Sequence, residues 1–153
     1  MSGPTPIPIV LCGKTEFIGQ RVIEALKPDI EVVHFILPGE SGKAITPDLL
    51  SGKAPSSHPD SSAIGSGNYE QIPRAVVFGG AFEESDIAAL RDAVKAAEGA
   101  RGVAWVRQDS SLPAPPVTSP EYPKLMTRRT KEAVIQLEKD GKLDGKHDEL
   151  EWY

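Results

Sequence analysis

Glu16 and Cys12 are the residues whose types and positions best suit them to chemistry in this 153-residue sequence, Cys12 closing a short apolar run and Glu16 following in the next turn. A carboxylate at the mouth of a partly apolar cleft can serve as a general acid or base, because burial raises its pKa towards neutrality. A cysteine just ahead of a helix N-terminus stands where a thiolate is stabilised. Each has a plainer reading. Glu16 can form a surface pair with Lys14, contributing about 0–1 kcal/mol, and a free cysteine is more often a small buried hydrophobe than a nucleophile. Cys12 directly precedes the turn GKTEFIG, residues 13–19, and Glu16 lies within it. Gly13 can make a tight turn and Gly19 can allow a helix to approach a strand, as a dinucleotide-binding turn requires. Glu16 occupies the place where a second glycine would admit a pyrophosphate. A carboxylate about 4 Å from a phosphate oxygen costs on the order of 4 kcal/mol at an effective dielectric of 20, roughly a thousandfold in affinity.

The elements that must position this turn follow from hydrophobic pattern and chain breakers. Residues 7–12 (IPIVLC) and 31–37 (EVVHFIL) are nearly continuous apolar runs, the pattern of parallel strands buried on both faces. Between them, residues 17–27 carry Ile18, Val22, Ala25 and Leu26 at helical spacing, and Pro28 stops the helix. A short helical piece is expected over residues 46–50, with Thr46 as cap and Pro47 at the first helical position. Strands are expected at 75–78 (AVVF) and 103–106. Helices are expected over 85–98, with Ile87, Leu90 and Val94 on one face, and from about Pro123 to Asp140. The closing ELEWY alternates and suits an edge strand or a docking tail. Strands alternating with helices imply a mostly parallel sheet of about four to five strands in a Rossmann-like three-layer α/β sandwich. Residues 1–153 read as a single domain. Residues 51–73, rich in Ser, Gly and Pro, form a long loop with few apolar anchors, expected to be the most mobile internal segment and nearly unprotected from hydrogen exchange.

In such a sheet ligands sit beyond the carboxyl ends of the strands, where strand order reverses. Candidate ligand-binding residues are therefore Gly13, Lys14, Thr15 and Phe17 in the first turn, Gly79, Gly80 and Phe82 after the third strand, and Arg107 and Asp109 after the fourth. Lys43 and Gln108 are further polar groups near strand ends. Phe82, Trp105 and Tyr122 can line an apolar site, although Trp105, inside a strand, suits the core better. His34, mid-strand, reads as a core histidine. Three histidines and one cysteine at unrelated spacings give no metal signature. GESGK in residues 39–43 imitates a phosphate loop, but Leu37 and Ala44 replace the glycine and hydroxyl that such a loop needs.

The GKTEFIG turn resembles the GATGFIG turn of the NmrA-like and extended short-chain dehydrogenase families. The following EALKPDIEVVHFILPGES is similar to their second strand and its exit, and AVVFGG to their fourth strand. The resemblance covers roughly the first half of the chain and implies a Rossmann-like, NAD(P)-binding-type fold. The activity it would imply is not matched by the residues. Leu37 stands where an acid would grip a ribose hydroxyl, and neither Tyr122, followed four residues later by Met126, nor Tyr69, followed by Pro73, completes the families' Tyr-x-x-x-Lys pair. The expected cofactor is therefore none, with NAD(P) bound weakly if at all, and Glu16→Gly is expected to recover measurable affinity.

A net charge of −5 argues against nucleic acid, which needs a clustered basic surface. The single Cys12 excludes an internal disulfide and fits a reducing, cytoplasmic setting, and no apolar run is long enough to span a membrane. The paired terminal aromatics Trp152 and Tyr153 call for a surface to pack on, on the same chain or on a second copy in a homodimer. Two functions remain open at this level. One is a redox-inactive small-ligand-binding or regulatory protein with a degenerate dinucleotide site. The other is a small cofactor-independent enzyme, an isomerase, cyclase or hydrolase, acting on a compact organic substrate in specialised metabolism.

Overall fold

The computed structural model describes residues 6–55, 62, 64–80, 82–97, 102–109, 111–146 and 150–153. Five strands and four helices alternate: β1 (Ile7–Cys12), α1 (Glu16–Leu26), β2 (Ile30–Ile36), α2 (Ser41–Leu50), β3 (Ala75–Phe78), α3 (Glu84–Ala96), β4 (Ala104–Arg107), α4 (Glu121–Lys139) and β5 (Leu150–Trp152). The strands form one sheet in the order β2-β1-β3-β4-β5, every neighbouring pair parallel. This is the Rossmann-like α/β sandwich expected from the apolar runs, and β1 and β3 are buried along their whole length because helices cover both faces.

Alternate side chains of each strand feed two cores. Ile9, Leu11, Phe35 and Val77 pack with Val22, Ile23 and Leu26 of α1 and with Met126, Val134 and Leu137 of α4. Val10, Cys12, Ile36, Val76, Phe78 and Trp105 pack on the other face with Ile45 and Leu49 of α2 and Ile87 and Leu90 of α3. The Trp105 ring stacks on Phe78 at 6.0 Å.

One local expectation changes. Helix α2 starts at Ser41, so Pro47 lies inside it and Thr46 is a fully buried interior residue instead of a cap. An interior proline forfeits a backbone hydrogen bond at a cost of about 3 kcal/mol, and burial of Ile45, Leu49 and Leu50 against the sheet offsets that cost. Within residues 51–73, of which 56–61 and 63 lie outside the described part, backbone bonds tie the stretch 64–67 to β2. The Phe35 amide donates to the Ile64 carbonyl, and the amides of Ser66 and Gly67 donate to the carbonyls of Val32 and Val33 at 2.8 and 3.0 Å. Residues 64–67 thus run back along the outer edge of β2 and occupy its free hydrogen-bonding groups.

The closing residues pack on their own sheet. β5 pairs with β4, the Tyr153 amide donates to the Arg107 carbonyl, and the Tyr153 ring is buried with its hydroxyl donating to the Phe78 carbonyl at 2.7 Å. Among the described residues no helix is long and apolar enough to cross a membrane.

Candidate functional site

The connection after β1 leads to β2 on one side, whereas the connection after β3 leads to β4 on the other, so the strand order reverses between β1 and β3. A cavity of about 520 Å³ opens at the carboxyl ends of those two strands, where such sheets place their ligands. Its rim includes Cys12, Gly13, Lys14 and Thr15 from the first turn and Gly79 and Gly80 after β3. These were expected from the sequence. Its walls are Ile18, Gly19 and Val22 of α1, Phe35 of β2, and Tyr122, Met126 and Thr130 of α4, and Val117, Gln108 and Tyr153 complete the lining.

The glycines of the turn answer to Phe35. A Cβ on Gly13 would stand 2.9 Å from Phe35 Cζ, and one on Gly19 would stand 2.5 Å from Phe35 Cε1. The Gly13 amide donates to the Ile36 carbonyl at 3.0 Å, and the Gly79 amide to the Cys12 carbonyl at 2.8 Å. Both glycines therefore admit an aromatic ring beneath the turn, and these two amides are spent within the sheet.

Several sequence candidates stand elsewhere. Glu16 is the exposed first residue of α1, and its carboxylate accepts a hydrogen bond from the Ser62 hydroxyl at 3.1 Å, away from the cavity. The Lys14–Glu16 pair is absent from the ion pairs of the described residues. Phe17 is 69% exposed and carries the Arg21 guanidinium over its ring at 4.5 Å. Phe82 is buried in the second core beside Phe78. With Lys43 and Glu40 it lines a smaller hollow of about 240 Å³ on the opposite face. Arg107 stacks on Trp152 at 4.4 Å, and Asp109 accepts from the Ser111 amide and hydroxyl, bonds that hold its carboxyl below the usual range. None of these five lines the cavity. Cys12 reaches its rim, but the side chain is fully buried in the second core, and desolvation pushes the thiol far above its ordinary pKa. A thiol held protonated in this way is a core group and not a nucleophile.

The polar groups facing the cavity are few and neutral inside. The Tyr122 hydroxyl donates to Gln108 Oε1 over a long 3.4 Å. The buried Tyr153 hydroxyl is committed to the Phe78 carbonyl and to Thr130, and burial pushes its pKa up. Lys14 lies exposed at the rim. Tyr122, Met126 and Thr130 are spaced at i, i+4 and i+8, one stripe of α4, which is the signal by which the sequence could have revealed this wall. Among the described residues, no three His, Cys, Asp or Glu side chains are grouped to hold a metal ion.

Over 144 residues the chain is 31% identical to kojic acid related protein 6 of Aspergillus oryzae, covering 92% of this chain and 84% of the relative. The chain belongs to the kojic acid related protein 6 family. No family model matches it, and no solved structure does. The match to kojic acid related protein 6 extends over nearly the whole sandwich, so it concerns the domain that builds the cavity and not one isolated motif.

Proposed function

We propose that the protein is a redox-inactive, Rossmann-like binding or regulatory protein whose cavity takes a compact, largely apolar organic molecule. The observation that carries this reading is the position of Phe35, which fills the space under the first turn and explains both of its glycines without a pyrophosphate. The cavity is of the size used by small ligands and is walled mainly by aliphatic and aromatic side chains. Leu37 at the end of β2 packs against the first core and offers a ribose no partner. Met126 stands one helical turn from Tyr122 on the cavity wall, where a lysine would be needed to lower the phenol's pKa, and a thioether carries no charge. The catalytic reading loses its two named groups, since Glu16 faces Ser62 and the Cys12 thiol is in the core. The similarity to an NmrA-like turn fits a binding or sensing role on a degenerate cofactor fold. The relative's name, which contains kojic acid, supports a small organic ligand and a place in specialised metabolism.

Calorimetric titration tests this. Native protein should give no saturable heat with NADH or NADPH and a saturable one with kojic acid. Micromolar binding of either nicotinamide cofactor would overturn the reading and restore an ordinary dinucleotide site.

A further inference from the structure

The cavity's polar groups are unevenly used. Tyr153 is saturated by the Phe78 carbonyl and Thr130. Tyr122 and Gln108 are not. Their contact, at 3.4 Å, is well beyond the usual O–H···O separation of about 2.7–2.8 Å, and the Gln108 amide nitrogen has no hydrogen bond among the described residues. Gln108 lies against the turn after β3, where a Cβ on Gly80 would stand 3.0 Å from its Oε1. The cavity therefore presents, on a largely apolar wall, one phenol and one carboxamide: two donor groups and two acceptor oxygens with no net charge.

We propose that Tyr122 and Gln108 form a recognition pair for a neutral planar ring carrying neighbouring hydroxyl and carbonyl groups. The inference rests on the cavity being the ligand site. A ligand hydroxyl seated beside Tyr122 and Gln108 donates to Gln108 Oε1 in place of their long contact, while the adjacent ligand carbonyl accepts from the Tyr122 hydroxyl or the Gln108 amide. The ring then lies among Ile18, Val22, Phe35 and Met126. Charged ligands are selected against, because the lining cation, Lys14, is exposed at the rim and a carboxylate carried deeper would be desolvated with only neutral donors to answer its charge. Purely apolar rings fit but leave both polar groups unanswered, which is the basis on which a site discriminates.

The sequence has two methionines, Met1 and Met126, so a methyl-¹³C-methionine spectrum places a two-signal reporter with one signal on the cavity wall. Titrating the native protein, Tyr122→Phe and Gln108→Leu with maltol, toluene and benzoate separates the ideas. Maltol, a neutral hydroxypyranone, should shift the Met126 signal saturably and lose about tenfold in affinity in each variant, the effect of one hydrogen bond. Toluene should bind all three proteins alike. Maltol affinity unchanged in both variants, no maltol binding beside normal toluene binding, or benzoate matching maltol would overturn the recognition pair while leaving the cavity as a ligand site. A Met126 signal unmoved by every probe would overturn the cavity reading itself, and the pair with it.

Discussion

A methyl group on Gly19 would meet the Phe35 ring at 2.5 Å, closer than real side chains approach, and both residues line the cavity. Gly19→Ala should therefore destabilise the fold by about 1–3 kcal/mol, as overpacking does. The same substitution in a Phe35→Leu background should cost much less, and urea midpoints of the four proteins would show the coupling. Equal costs in both backgrounds would mean that the glycine serves something other than the ring. His34 behaves differently. Its Nδ1 is 3.0 Å from the Tyr69 hydroxyl, its Nε2 is buried without a partner among the described residues, and desolvation lowers its pKa. Below about pH 6.5 the unfolded chain takes up a proton there that the folded chain resists. The unfolded state then binds more protons, so stability from this site is present above that pH and declines as pH falls through it. His34→Gln should flatten the acid limb of a stability–pH curve between about pH 7 and pH 5, measured by denaturant melts.

Strands announced themselves where burial on both faces left almost nothing but apolar residues, as in residues 7–12 and 75–78, and helices where Ile87, Leu90 and Val94 or the residues of α1 kept a 3.6-residue period. Helix α2 was less legible because Pro47 reads as a helix start, and only the sheet beneath Ile45 and Leu49 explains why the helix runs through it. The cavity was half legible. Its rim lies in turns that follow strands, but Phe35 and the α4 stripe come from elements distant in sequence, and no local pattern ties Tyr122 to Gln108. The segment over residues 51–73 gave no sign that its end would bind an edge strand, since those bonds use backbone groups, which any sequence carries. Amides of Ser66 and Gly67 should accordingly exchange more slowly than their described neighbours in that segment, readable by hydrogen exchange at single-residue resolution. Equal rates throughout would remove the strap. At the opposite edge, deleting residues 150–153 takes away β5 and the buried Tyr153 ring together, so the melting temperature should fall by several degrees.

A cavity of about 520 Å³ open at the carboxyl end of the sheet leaves apolar side chains within reach of water, burial that the fold forgoes. Filling it should show the opposite sign. Ile18→Phe, placed on the half-buried α1 wall, should raise stability by about 0.5–2 kcal/mol and abolish binding of ring ligands. A variant that became more stable and still bound maltol normally would place the ligand elsewhere. The two margins of the sheet are also unequal, and this bears on how copies of the chain can meet. Residues 64–67 already bond to Val32, Val33 and Phe35 along β2, whereas β5 is the terminal strand on the other side. Growth of a fibre by edge-to-edge addition needs two adhesive ends on every unit, since each arrival must offer a fresh end to the next. With one end stoppered by its own chain, an addition through β5 ends with the second molecule: the geometry acts as a chain terminator, turning a polymerisation into a single pairing event.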